Sequence, residues 1–330
     1  MAKKRRTRPA ETISKKETRR QQQVETEKRA NRAKIFIAVG SAIILIALLW
    51  ATFGNHAAPQ DWVVDDYGKM SYPTEREVPV FDSMIVNYTP ESSLEYINYS
   101  SRDEVISALL RIPNSSRPVP GILILPGATV TKEGEQGLSA ELAEMGYASM
   151  VIDQRNRGGV DFQMDGGLFE AGYEPIQHKM VFDALRAVDV MRQYPEIDTD
   201  NIAIIGISNG GRFAIIATAI DPSIKGLVGI STSGYDVESF ISENSGQITK
   251  NQTRFLRSID PDTYLDKIPP RKLVMIHMTN DSIIPLNLSQ PTYDKADEPK
   301  AFYPLEGSGH GYNSAMREVL ETELGLMFDR

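Results

Sequence analysis

The chain has 330 residues, of which 41% are hydrophobic and 24% charged, a globular composition that excludes a disordered, collagen-like or wholly membrane-embedded chain. It holds no cysteine, which excludes disulfide frameworks, thiolate metal sites and cysteine nucleophiles, and leaves any histidine chemistry to His56, His178, His277 and His310. The net charge of −8 hides an asymmetry: residues 1–34 carry 13 Lys and Arg against 4 Asp and Glu, leaving 23 against 40 elsewhere, so a basic tail precedes an acidic body that would repel nucleic acid.

The tail runs into IFIAVGSAIILIALLWATF, an uncharged stretch from Ile35 to Phe53 with no polar face. Nineteen residues at about 1.5 Å each span roughly 28 Å, close to the ~30 Å thickness of a bilayer's hydrocarbon core. Trp50 near its far end suits the headgroup level. The positive-inside rule keeps residues 1–34 cytoplasmic and places everything after residue 53 outside. The expectation is a single, uncleaved transmembrane signal-anchor over 35–53. A cleaved signal peptide with a small-residue site at Asn55–Ala58 is the alternative, but the apolar run and the segment before it are both too long for one. The basic tail then serves topology and attraction to anionic lipid rather than nucleic acid. Residues 54–79 keep no sustained period and read as a stalk. N-x-S/T sequons stand at Asn87, Asn98, Asn114, Asn251, Asn280 and Asn287, weak signals by themselves.

The remaining domain, 80–330, alternates strands with helices. Strand-like runs are Leu94–Tyr99, Val105–Ile112, Gly121–Leu125, Ala148–Ile152, Ile202–Ile207, Gly226–Ile230 and Leu273–His277. Helical stretches are Leu138–Met145, Gln177–Gln193, Gly211–Ala219 and Ser314–Met327. Short β-branched runs separated by helices predict a parallel sheet covered on both faces. The first two runs read as an antiparallel hairpin at one edge.

Residues 201–219, NIAIIGISNGGRFAIIATA, take an apolar strand straight into Gly206-Ile207-Ser208-Asn209-Gly210 and then into a helix. The bare G-x-S-x-G pattern is weak and could be a plain glycine-rich turn. Its placement carries more. A serine on a sharp strand-to-helix turn is held strained with its hydroxyl exposed, and the flanking glycines remove Cβ atoms that would clash. The helix N-terminus supplies free N–H groups where an oxyanion would form.

A serine nucleophile needs a base, and the base an orienting carboxylate. RKLVMIHMTNDSIIP places Asp281 just past a strand, and YPLEGSGHGYN places His310 among Gly307, Gly309 and Gly311. The order Ser208, Asp281, His310 is the one expected for a triad built on this kind of sheet. Asp281 could instead be a turn cap. His277 lies in a strand interior, where packing is the plain use; His178 falls on a helix and His56 beside the apolar run. The backbone N–H of Asn209 is one expected oxyanion donor. The loop after Gly121–Leu125, LPGAT, should supply the second from Ala128, with Thr129 the near alternative.

Together LPGATV (125–130), DQRNRGG (153–159), GISNGG (206–211), TNDSIIP (279–285) and GSGHGY (307–312) resemble the α/β-hydrolase superfamily, in particular its dienelactone-hydrolase-like and prolyl-oligopeptidase-like domains. The resemblance covers roughly residues 94–330. It implies an eight-stranded, mostly parallel sheet and Ser-His-Asp acyl chemistry without a metal or other cofactor. Two departures stand out: the dienelactone hydrolases often use cysteine where this chain has Ser208, and Leu125-Pro126 replaces the histidine that opens many oxyanion loops. Asp153 and Arg155 look structural. In this superfamily an insertion such as 233–270 often caps the site, so Phe240, Phe255, Leu256 and Tyr264 could line an acyl pocket, though packing the cap onto the body is their plainer use. The loop 159–176 is a second possible rim.

The expected protein is a membrane-anchored, extracytoplasmic serine hydrolase acting on a small ester through a Ser208 acyl-enzyme. A serine peptidase or acyltransferase of the same fold, or a catalytically silent binding protein, are the alternatives. A G-x-G-x-x-G nucleotide fingerprint, a G-x-x-x-x-G-K-[ST] phosphate loop and an H-E-x-x-H zinc motif are all absent.

Overall fold

The computed structural model describes residues 61–330, and the first elements among them are a two-stranded ribbon, β1 (Val63–Val64) and β2 (Met70–Ser71). Three antiparallel strands follow: β3 (Phe81–Tyr88), β4 (Ser92–Ser101) and β5 (Glu104–Pro113). Then come β6 (Val119–Leu125), α1 (Gln136–Glu144), β7 (Ala148–Ile152), α2 (Phe162–Glu170), α3 (Ile176–Met191), β8 (Ile197–Ile207), α4 (Asn209–Ile220) and β9 (Gly226–Ile230). The last third holds α5 (Val237–Glu243), α6 (Lys250–Ile259), β10 (Lys272–Asn280), α7 (Leu286–Lys295), β11 (Lys300–Ser308) and α8 (Arg317–Met327).

Nine strands form one sheet in the order β11-β10-β9-β8-β6-β7-β5-β4-β3. The six from β11 to β7 run parallel, while β5, β4 and β3 extend the sheet antiparallel. Every residue of β6, β7 and β9 is buried, which is why these runs are continuously apolar rather than alternating. Within β6, Leu123 and Leu125 face a core shared with α3 and α4, whereas Ile122 and Ile124 face a second core closed by α1 and α8. The sheet is thus sandwiched between helices. This is the α/β-hydrolase arrangement, with one strand beyond the expected eight.

The additional strand, β3, is exposed along almost all its length, so its sequence FDSMIVNY has no buried face to impose a period of two. β11 (KAFYPLEGS) carries Pro304, which an edge strand tolerates and which hides it from a strand-pattern reading. The expected stalk over 54–79 needs correcting from residue 61 onward. Trp62, Val64, Met70 and Tyr72 are buried in the body's core, and the Met70 amide donates to the Tyr264 hydroxyl at 2.8 Å. Four apolar side chains on a ribbon two residues wide make no period, yet they pack. Residues 54–60, the basic tail 1–34 and the apolar run 35–53 lie outside the described residues. Among the described residues no helix is long and apolar enough to cross a membrane.

The insertion at 233–270 folds as α5, α6 and a short 3-10 helix, Pro261–Lys267. Thr249 and Gln252 form a reciprocal capping box that starts α6. Phe255 and Tyr264 are buried, and Leu256 packs against the same core, so these three fix the insertion to the body; Phe240 is 50% exposed. Half of the rim segment 159–176 is helix α2, which Asp161 caps by accepting from the Gln163 and Met164 amides.

His178 on α3 links this insertion to the core. Its ring is fully buried, edge-on to Trp62 at 5.6 Å, and its Nε2 lies 2.7 Å from Ser258 Oγ. Because that hydroxyl donates to the Phe255 carbonyl, it accepts from His178, whose Nδ1 is buried without a partner. Burial holds the His178 pKa down at about 3, from an ordinary value near 6.5. Acid therefore protonates the unfolded chain first, and between those two values stability falls as pH falls. This residue alone should cost on the order of 1 kcal/mol per pH unit within that range. Urea unfolding at pH 7, 6 and 5 should show that loss, and His178→Gln should show a shallower one.

Candidate active site

Ser208 joins β8 to α4 with φ 53° and ψ −120°, a conformation that a residue with a side chain adopts only under constraint. The constraint comes from close packing on all sides. A Cβ on Gly206 would lie 2.5 Å from the Gly211 Cα, and one on Gly210 would lie 2.1 Å from the Leu125 carbonyl oxygen. The Ser208 amide donates to the Ile230 carbonyl at 2.8 Å, tying the turn to the end of β9. The hydroxyl is thereby presented at the carboxyl ends of the parallel strands, where sheets of this type place their sites.

The turns after β10 and β11 bring the other two candidates to it. His310 Nε2 is 2.7 Å from Ser208 Oγ, and His310 Nδ1 is 2.8 Å from Asp281 Oδ2. The second oxygen, Oδ1, accepts from the Ile283 and Ile284 amides at 2.8 and 3.0 Å. The Asp281 side chain is fully buried, whereas that of His310 is 23% exposed. Burial pushes the Asp281 pKa up, but the bonds from His310, Ile283 and Ile284 outweigh it and hold the carboxyl below its ordinary range. An ionised carboxylate only accepts, so Nδ1 carries the imidazole proton and Nε2 is left to accept from the serine hydroxyl. Gly307, Gly309 and Gly311 all have positive φ, which explains the glycines around His310.

The expected oxyanion donors meet the same turn. Gly127 abuts Ser208, since a Cβ there would lie 3.4 Å from the serine Cβ. The Thr129 amide donates to the Arg157 carbonyl at 2.7 Å, which removes it as a donor. No hydrogen bond engages the Ala128 amide among the described residues, and Asn209, as the first residue of α4, has no intrahelical acceptor. Two side chains brace this loop from behind. Gln154 Nε2 donates to the Pro126 carbonyl, and Asn209 Nδ2 donates to that of Gly158. Asn156, Arg157 and Gly158 take positive φ in succession, and a Cβ on Gly158 would meet Ala128 Cα at 3.3 Å. The glycine pair closing DQRNRGG was the available signal. Asp153 and Arg155 are structural, held by Lys132 at 2.6 Å and Asp183 at 2.8 Å respectively.

Aromatic side chains pack beside Asn209, the residue after Ser208. The Tyr235 hydroxyl donates to Asn209 Oδ1 at 3.3 Å, the Arg212 guanidinium sits 4.0 Å from its ring centroid, and half-exposed Phe162 meets it edge-on at 5.1 Å. Among the described residues no group of three or more His, Asp and Glu is placed to hold a metal ion.

The acetyl xylan esterase (AXE1) family model matches residues 87–280, more than half of the chain. The chain belongs to the acetyl xylan esterase family. It is therefore an α/β-hydrolase. By sequence it is 24% identical over 247 residues to protein PA2218 of Pseudomonas aeruginosa, covering 72% of this chain and 63% of that one. The chain thus spans less than two thirds of that relative's length. Its fold matches the acetyl xylan esterase from Paenibacillus sp. R4 with TM-score 0.63 and 18% identity, over 77% of this chain and 90% of the other. Acetyl xylan esterase 1 from Thermoanaerobacterium sp. JW/SL YS485 matches with TM-score 0.62 and 13% identity, over 76% and 88%. The elbow should tolerate no added methyl: Gly210→Ala should lower the melting temperature and cut turnover of a nitrophenyl ester by about 100-fold or more, through overpacking against the Leu125–Pro126 backbone. Thermal unfolding and steady-state kinetics on the purified variant check both.

Proposed function

We propose that the protein is a serine esterase in which Ser208 is the nucleophile, His310 the general base and acid, and Asp281 the orienting carboxylate. The observation that carries this is the unbroken line of hydrogen bonds from Ser208 Oγ through His310 to Asp281, at 2.7 and 2.8 Å. Ser208 Oγ attacks the ester carbonyl carbon as His310 Nε2 takes its proton. Asp281 stays ionised, fixing the tautomer and stabilising the imidazolium. The Ala128 and Asn209 amides receive the oxyanion. Collapse expels the alcohol, protonated by His310, and water then repeats the sequence to release the acid and free Ser208.

The family's name supports a short acyl group, acetyl foremost, on a sugar-like alcohol. An acyltransferase would differ only in the nucleophile that relieves the acyl-enzyme; a peptidase reading has no observation in its favour. The hydrolase body is further read as held at a membrane by the 35–53 run and facing out of the cytoplasm, on the strength of that run's length and the basic residues before it. Carbonate-resistant sedimentation of the full chain, with the body digested by protease added outside intact cells, is the expected behaviour. Release by carbonate or protection from protease contradicts it.

On acetyl and butyryl nitrophenyl esters, Ser208→Ala and His310→Ala should each lose turnover by about 10⁴-fold or more. Asp281→Asn should lose about 10²- to 10⁴-fold, because the wrong imidazole tautomer is then favoured. Circular dichroism should be unchanged in all three. Turnover retained in a folded Ser208 or His310 variant would remove the assignment.

A further inference from the structure

His277, near the end of β10, is 1% exposed and takes no part in the steps above. Its Nε2 lies 2.7 Å from the Ile284 carbonyl oxygen; a carbonyl only accepts, so this nitrogen carries a proton and donates it. The same nitrogen stands 3.5 Å from Asp281 Oδ2, the oxygen that His310 Nδ1 reaches at 2.8 Å. Ile284 is therefore gripped twice. Its amide donates to Asp281 Oδ1 at 3.0 Å, and its carbonyl accepts from His277. With Ile283 also bonded to Oδ1, the turn 281–284 has little freedom to rotate the carboxylate.

Resting on the triad reading, we propose that His277 is a positioning residue: its Nε2–H fixes the 281–284 turn and so sets the direction in which Asp281 presents Oδ2 to His310. A packing residue at this depth would need only volume, and a leucine supplies that. The donor and its aim are what the position adds. Burial pushes the His277 pKa down, which keeps the ring neutral. A cationic ring 3.5 Å from Oδ2 would instead draw the carboxylate's charge away from His310.

The test compares His277→Leu, which keeps bulk and removes the donor, with His277→Gln, whose amide nitrogen reaches about as far as Nε2. Two readouts are taken on the full chain: steady-state kinetics, and the far-downfield proton resonance of the His310 Nδ1–H. In His277→Leu, kcat should fall by about 10- to 100-fold with KM within about twofold, the scale set by misaiming a catalytic group. The resonance should move upfield or vanish. His277→Gln should restore most of kcat and the resonance. A folded leucine variant whose resonance stays in place overturns the proposal, as does a glutamine variant that loses as much as leucine. If His277→Leu does not fold, His277→Asn, whose amide is about one bond too short to reach Ile284, replaces it with the same expectations. Turnover surviving in Ser208→Ala would instead remove the triad itself, so the two failures are distinguishable.

Discussion

A residue with a side chain held at φ 53° and ψ −120° stores on the order of 1–3 kcal/mol, and the arrangement around Ser208 is the one that keeps it there. β8 delivers the serine, β9 takes its amide, and α4 leaves with a glycine against the loop at the end of β6. Because these strands are buried on both faces, the turn cannot relax without moving the core on either side of the sheet. The strain is a local cost carried by the whole body, and its return is a hydroxyl aimed at His310 with two unengaged amides beside it.

The electrostatics follow the same division. Asp281 is fully buried yet stays ionised because three donors converge on it; His310 is partly exposed, so its proton can move without opening the fold. His178 and His277 are the contrast. Both are buried, both have depressed pKa values, and both serve as neutral donors in fixed directions.

Much of this was legible in the sequence, for reasons that differ by element. The elbow was readable because glycines at 206 and 210 bracket a serine directly after an apolar strand, and steric need leaves few other residues there. Asp281 and His310 were readable from chain order and from the glycines around His310. The ribbon 61–72 and strand β3 were not, the first because it is too short for a period and the second because it has no buried face. The brace formed by Gln154 and Asn209 was marked only by the glycine pair at 158 and 159, since a side-chain contact to a backbone carbonyl far away in the chain leaves no pattern of its own. A histidine in a strand interior does not announce a polar partner, so His277 looks like packing in the sequence although its acceptor, Ile284, is close in the chain.

The central claim is that the protein's fold activates the Ser208 hydroxyl, and covalent labelling tests it most directly. Intact mass after exposure to a fluorophosphonate, with peptide mapping, should show a single adduct on Ser208 in the parent and none in Ser208→Ala. A folded parent that takes no adduct, or takes it on another serine, would contradict the account.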